Sequence, residues 1–432
     1  MRERVKNTAL AGLFVLMLVL LYFSMTLGVS TEGGSLSRIL GVSPQETPSE
    51  LEPQPAVQLR TLAVCTPAGV HMPESYDEKQ EMETAVSTLY TEAVGSAQAG
   101  VQVTQEEYLE LLQNPAVYLG FDTELPFFLL RRWAGLEAGE RESRLTGLVL
   151  GLSDGSVVLA WRDAETGQHH MAQTAAAADR LQQVCSAWQG NNAVFAFEED
   201  GLSALCADEP VLLSAVQGRS YTVKSPAFVQ AGELSREVLS GFGFNPYLAR
   251  VYEQDGEIVY VEGYNALGYN VLRVGTNGDL VYTSGAEGQG ISLGLPEESG
   301  DNLSMAVEGV RVLLNELSEK AGAQGVYSLS ELDEQEDGGL VLLFDLTLSG
   351  CAVLSERPGA QVTVRGGQVV SLYMSPRSYE EADMYALLPA RQAAAALPQQ
   401  SACYRLSVRY SEKQEGLLVP VLCSTEESNG ME

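Results

Sequence analysis

Ser153 has more chemistry written around it than any other residue in this sequence. It lies in Gly151-Leu152-Ser153-Asp154-Gly155, a formal G-x-S-x-G. That spacing can hold a nucleophilic serine on a strained turn between a strand and a helix. Here Val149-Leu150 lead in and Val157-Val158-Leu159-Ala160-Trp161 lead out, so the context is strand, turn, strand. Ser-Asp-Gly is the composition of a hairpin turn. A triad would also need a later histidine, and only His169 and His170 follow. The hairpin reading stands, and no catalytic residue is assigned.

The remaining candidates are weaker. His169 and His170 are neighbours, and on an extended segment adjacent side chains point to opposite faces, so the pair does not suit one metal ion. They read as part of a solvated loop, and His71, beside Met72-Pro73, reads as an isolated loop histidine. With 57 acidic residues, carboxylate pairs of the glycosidase kind arise by number alone. Only Trp133, Trp161 and Trp188 could stack a sugar ring, and they are not clustered. The glycines of GAEGQGISLG have no lysine after them, which removes a phosphate loop. No S-x-x-K occurs, so penicillin-binding chemistry is absent as well. No cofactor and no metal site is expected.

Six cysteines stand at 65, 185, 206, 351, 403 and 423, with no C-x-x-C among them. Cys65 and Cys351 sit in apolar runs and read as small core residues. Cys185 with Cys206, and Cys403 with Cys423, have the separation of adjacent elements. Spacing alone leaves open whether either pair is bonded.

The elements that would carry these residues alternate between helices and short strands. VQLRTLAVC reads as a first strand. YDEKQEMETAVSTLYTEAVGS places Met82, Val86, Leu89 and Val94 at near-helical spacing before Gly95. TQEEYLELLQ is a helix with Thr104 and Glu107 as a capping box. LPFFLLRRWAG is a third helix, opened by Pro126 and closed by Gly135. RLTGLVLGL, SVVLAW and NAVFAFE run apolar as strands do, with a helix over MAQTAAAADRLQQVCSAW. From 233 onward a helix followed by a strand meander occurs twice, with Asp-Gly, Asn-Gly or Gly-Gly turns. Strands following helices without regular βαβ alternation give an α+β class with helices packed on antiparallel sheets. The length favours two or three domains.

Ahead of these elements, Arg2, Arg4 and Lys6 precede a charge-free run whose core is Leu10 to Phe23. About 20 apolar residues span a bilayer as a helix, and the basic flank stays inside. The run is longer than the apolar region of a signal peptide, with Gly28-Val29-Ser30 as its one small-residue cleavage candidate. A lipoprotein needs a cysteine directly after such a run, and the first is Cys65. Ser24 and Gly28 form a small-xxx-small face that would admit a partner helix in the membrane. The formal net charge is −31, which repels phosphate backbones and anionic headgroups, so nucleic acid is excluded as a partner. Such acidity keeps an exported body soluble and could steer basic partners to it.

Taken together, a short basic stub, one transmembrane helix, a tether and two terminal helix-plus-meander units resemble the YycH/YycI family of Gram-positive regulators. TLYTEAVGS, TQEEYLELLQNPAVYLGF and LPFFLLRRWAG carry the likeness first. FGFNPY with DGEIVYVEG and NGDLVYTSG carries it in the middle, and LFDLTLSGCAVL, AQVTVRGGQVVSLYMSPRSY and LLVPVLC near the end. The resemblance implies a bitopic protein that contacts a WalK-type sensor histidine kinase, with a related bitopic regulator as a further partner, and modulates the kinase by contact. It carries over no catalytic residue, and this chain departs from the pattern in its acidity and its six cysteines. The expected organisation is a cytoplasmic stub over 1–7, a transmembrane helix over 8–29 and a tether over 30–57. An N-terminal α+β domain over 58–230 follows, then helix-plus-meander domains over 231–296 and 297–426 and a tail over 427–432, all outside the cytoplasm. The alternative is a tethered envelope scaffold that shares this architecture without touching a kinase.

Overall fold

In the computed structural model, the described residues are 57–136, 143–224, 229–230, 233–263, 268–285, 290–295, 302–335, 337–398, 403–413 and 416–427. The chain divides into two units, Met1–Glu50 and Leu51–Glu432. The first unit lies outside the described residues, and with it the expected span over 8–29 and its Ser24 and Gly28. No helix among the described residues is long and apolar enough to cross a membrane.

The second unit is α+β, and its sheets are antiparallel. The first sheet holds β1 (Leu59–Thr66), β2 (Gly69–His71), β3 (Val101–Val103), β4 (Ala116–Pro126), β5 (Arg144–Ser153), β6 (Ser156–Asp163), β7 (His169–Gln173), β8 (Ala193–Phe195) and β9 (Pro210–Leu212). They run in the order β3-β7-β6-β5-β4-β1-β2-β8-β9. Helices α1 (Tyr76–Ser96), α2 (Gln105–Leu112), α3 (Phe127–Trp133) and α4 (Ala178–Ser186) belong to the same part of the chain. Both faces of this sheet are covered. Val117, Leu119, Leu148 and Leu150 enter one core with Met82, Val86 and Leu89 of α1. Their sequence neighbours Tyr118 and Val149 enter a second core with Tyr108, Leu111 and Leu112 of α2. Full burial of each such aliphatic side chain is worth roughly 1.5–3 kcal/mol.

Local sequence sets the ends of these elements. Ser75 caps α1 by accepting from the Glu78 amide at 3.2 Å. Thr104 and Glu107 close a reciprocal capping box on α2 at 3.2 and 2.8 Å. Pro126 stands at the N-cap of α3, and Gly135 beyond its end takes φ +77°, the left-handed region that favours glycine. The expected helix from Met171 to Trp188 is shorter, because β6 recruits His169–Gln173 as a strand and leaves α4 to begin at Ala178.

A second sheet joins distant parts of the chain. β10 (Gln217–Lys224) pairs with β23 (Ser378–Ala386) and β25 (Leu417–Glu427), and β24 (Cys403–Glu412) completes the order β23-β10-β25-β24. β11 (Val229–Gln230) and β12 (Glu233–Leu234) form a small ribbon before α5 (Arg236–Gly241).

The third and largest sheet contains β13 (Arg250–Gln254), β14 (Glu257–Glu262), β15 (Asn270–Val274), β16 (Leu280–Thr283), β17 (Ile291–Ser292), β18 (Val326–Glu334), β19 (Leu340–Leu348), β20 (Cys351–Ala352), β21 (Ala360–Arg365) and β22 (Gln368–Met374). Its main path is β13-β14-β15-β16-β22-β21-β19-β18. The two meanders read from the sequence are thus one continuous sheet, joined where β16 pairs β22 from Leu280↔Met374 to Thr283↔Ser371. The boundary expected at 296/297 falls inside it. α6 (Asn302–Lys320) lines this sheet with Val307, Val310, Leu314 and Leu317, and α7 (Ala390–Ala395) packs beside Leu202 and Leu205. Glu308 of α6 accepts from Trp133 Nε1 of α3 at 2.8 Å, linking the first and last parts of the body. Glu427, expected to begin a tail, closes β25 instead.

A buried charge network and a cleft as the candidate functional site

The strongest concentration of chemistry in the body is a set of buried charges between the first and second sheets. Arg60 of β1 meets Glu209 through two nitrogens, at 2.5 and 3.1 Å. Arg405 of β24 reaches Glu209 at 3.3 Å, Asp208 at 3.2 Å and Glu427 through Nε. It also donates to the Tyr118 hydroxyl at 2.8 Å. Tyr108 donates to Asp208 at 3.1 Å, and Arg162 of β6 pairs with Glu427 at 2.6 Å. Three guanidinium groups thus face three carboxylates.

Burial pushes the Asp208 carboxyl up, but Arg405, the Tyr108 hydrogen bond and Arg162 outweigh it and hold the group below the ordinary aspartate range. Burial likewise works against the Arg405 cation, while Asp208, Tyr118, Glu427 and Glu209 stabilise it more. A general acid needs a carboxyl kept protonated near neutrality, and Asp208 is shifted the opposite way. This arrangement clamps two sheets together. Asp345 is pushed up, first by burial and then by Asp122, while Arg409 opposes; Asp345 does not line the cleft that Asp122 reaches.

Cys206 and Cys403 are disulfide-bonded beside this network. The pairing differs from both candidates read from spacing. Its cause is the crossing of β24 over the 204–206 segment, where Cys206 donates to the Tyr404 carbonyl at 2.9 Å and Tyr404 to the Ala204 carbonyl at 3.1 Å. Cys65 and Cys185 are buried free thiols, and Cys351 and Cys423 are half-buried. The Glu427 carboxylate lies within 4.8 Å of both bonded sulfurs. With the sulfurs joined and Glu427 engaged by two arginines, this donor set does not suit a cation.

The other sequence candidates fall apart in space. Ser153 ends β5 opposite Ser156, across a turn in which Asp154 and Gly155 take φ 49° and 77°. That is a two-residue hairpin. His169 and His170 are not in a loop; they lie on opposite faces of β7, against Tyr108 at 4.7 Å and Trp161 at 5.6 Å. His71 is not a loop residue either. It is buried at the end of β2, with its ring nitrogens 2.7 Å from the Gln189 carbonyl and 3.1 Å from Glu78.

A cleft of about 640 Å³ opens where the three sheets meet. Arg60, Lys79, Tyr221, Cys351, Met384 and Tyr410 are among its walls. The Tyr221 and Ser349 hydroxyls share a 2.6 Å hydrogen bond across it. Gly350 takes φ +73°, and a Cβ there would meet the Tyr76 ring at 2.8 Å, so only glycine fits that corner. A second, more apolar groove of about 400 Å³ runs between α1 and α3, beside Val57 and Trp133.

Sequence reasoning missed Arg60, Asp208, Glu209 and Arg405. One signal was available: each interrupts or borders an apolar run, and charged residues are seldom fully buried without a partner.

The body has a YycH-like fold. It superposes on the crystal structure of YycH from Bacillus subtilis with a TM-score of 0.52, covering 89% of this chain and 96% of that one at 8% identity. No family model matches the sequence, and no curated protein matches it.

Proposed function

We propose that this chain is a membrane-anchored, extracytoplasmic regulator that modulates a two-component sensor histidine kinase through protein contact. The YycH-like fold over nearly the whole body is the observation that carries this reading. The N-terminal sequence adds support, since the apolar run from Leu10 to Phe23 behind Arg2, Arg4 and Lys6 has the length and flank of a signal anchor. A disulfide persists in oxidising surroundings, which also favours an external body. The buried carboxylates of the network are neutralised by arginine, as suits a body that works by contact. A related bitopic protein is the natural second partner.

The Ser24/Gly28 face gives the test. Helices associate in lipid by close packing of small residues. Replacing both by leucine keeps the helix apolar but holds a partner helix away. The expected cost is about 1 kcal/mol, or roughly five-fold weaker association. Insertion should survive, checked by carbonate washing and by protease added to spheroplasts. A transcriptional reporter of the kinase's response regulator should fall between wild type and gene deletion. If neither the leucine pair nor deletion moves that reporter under envelope stress, the regulator reading fails.

A further inference from the structure

Among the described residues, six strands stand at the edges of the three large sheets, and five of them are guarded. β3 and β9 are three residues long, and Pro210 opens β9. β24 gives its Tyr404 and Tyr410 carbonyls to the amides of Cys206 and Leu354. β18 is bulged between Leu329 and Glu331, and Thr123 donates to its Ser330 carbonyl at 2.6 Å. β23 is lined by Glu380, Glu381 and Asp383, which discourage another strand.

β13 is longer than β3 and β9, it lends no carbonyl to a segment outside its sheet among the described residues, and Glu253 is its one acidic residue against three in β23. All five of its residues are exposed, it contains no proline, and its ladder with β14 is free of bulges. Among the described residues no strand pairs with its outer edge. The turn that follows fixes which groups point outward. Asp255 and Gly256 both take positive φ, 54° and 82°, so β13 and β14 form a two-residue hairpin. Gln254 and Glu257, flanking that turn, are then the closely bonded pair. Alternation turns the N–H and C=O groups of Gln254, Tyr252 and Arg250 toward β14. Those of Val251 and Glu253 face outward, unused by the sheet.

The side chains around this edge are unusually apolar for a surface. Tyr247 is 75% exposed and Leu248 59%, and Val251 and Tyr252 are each 48% exposed. The charged residues at its border are Glu253, Asp255, Glu257 and Glu262 against Arg250, with Arg236 over the Tyr247 ring at 5.3 Å and Arg273 paired to Glu257 at 3.3 Å, so the edge keeps a small acidic excess. A second copy of a chain with net charge −31 would be repelled here.

We propose that the outer edge of β13 is a docking strand, which takes an extended segment of another polypeptide, alternating apolar and basic residues, as an added strand of the largest sheet. Backbone groups of Val251 and Glu253 supply the hydrogen bonds, the tyrosines and Leu248 supply contact area, and the acidic border selects the sign of the incoming charge. This goes beyond the regulator reading and does not depend on it, because its test needs no kinase.

The probe is an end-capped ten-residue peptide of alternating valine and lysine, added to the full chain in detergent micelles. The expected result is saturable binding that slows hydrogen exchange at the Val251 and Glu253 amides at least ten-fold. A peptide with glutamate for lysine should bind at least ten-fold more weakly. Val251→Pro removes one outward N–H while leaving every β13–β14 hydrogen bond, a position where an edge strand accepts proline, and should abolish binding. Protection of the β14 amides checks that this variant is folded. Glu253→Lys provides an independent arm and should shift preference toward the glutamate peptide. No binding up to millimolar peptide, slowing confined to other residues, or equal binding by Val251→Pro would each overturn the proposal.

Discussion

Arg405→Met is expected to lower the stability of the body by about 3–5 kcal/mol, the scale for removing one partner of a buried ion network. The side chain is 4% exposed and faces three carboxylates, those of Asp208, Glu209 and Glu427. Glu209 keeps Arg60 and Glu427 keeps Arg162, so Asp208 bears most of the loss. Arg219→Met, at an exposed pair with Glu381, is the control and should cost at most about 1 kcal/mol. Adding Asp208→Asn to Arg405→Met should recover part of the deficit, because the buried charge without a counterion is then gone. The pH dependence has a definite sign. Asp208 has a folded pKa below its unfolded value, so its contribution is present above the ordinary value of about 3.9 and is lost as pH falls through the depressed one. Without Arg405, burial dominates and raises the group, so acid destabilisation should set in at a higher pH. Urea midpoints for the wild type and these variants, taken from pH 7 down to pH 3, measure each part.

Local features of the fold were legible because neighbouring residues decide them. The Thr104/Glu107 box, Pro126 and Gly135 around α3, and the turns at Asp154-Gly155 and Asp255-Gly256 all sit where their chemistry places them. What sequence could not show is which strands come together over long separations. β10 inserts between β23 and β25, and β16 finds β22, by pairings that no local pattern announces. β4 and β5 lack the alternation of a half-buried strand because helices cover both faces of their sheet. The histidines were misplaced for a related reason. His169 and His170 carry no strong strand signal of their own, and become a strand because β6 offers them a register. The charge network was hidden in the same way. Arg60 and Arg405 look like ordinary charges until Asp208 and Glu209 are brought beside them from 149 and 197 residues away. The expected membrane contact at Ser24 and Gly28 lies outside the described residues.

Replacing Cys206 and Cys403 together by serine should produce the other large effect. The bond spans 197 residues of sequence. Closing a loop of that size restricts the unfolded chain, and the chain-entropy estimate is about 5 kcal/mol, with observed costs of about 2–5 kcal/mol for removing native disulfides. Reduction of the wild type should give a similar loss. The effect should also be coupled to the charge network. Asp208 lies two residues beyond Cys206, Arg405 two beyond Cys403, and the two residues pair at 3.2 Å. The disulfide therefore fixes both backbones from which that pair projects. A cycle combining the serine pair with Arg405→Met should be non-additive by 1 kcal/mol or more, beyond the roughly 0.3–0.5 kcal/mol scatter of independent sites. The sign follows from the order of loss: once the segments separate, the network is already weakened, so the second change costs less than it does alone. Additivity within that scatter would mean that each device holds the two sheets without help from the other. An unchanged urea midpoint on reduction would mean that the bond carries no part of the stability, and that the Tyr404 and Cys206 backbone hydrogen bonds, with the arginines, are enough to hold β24 in place.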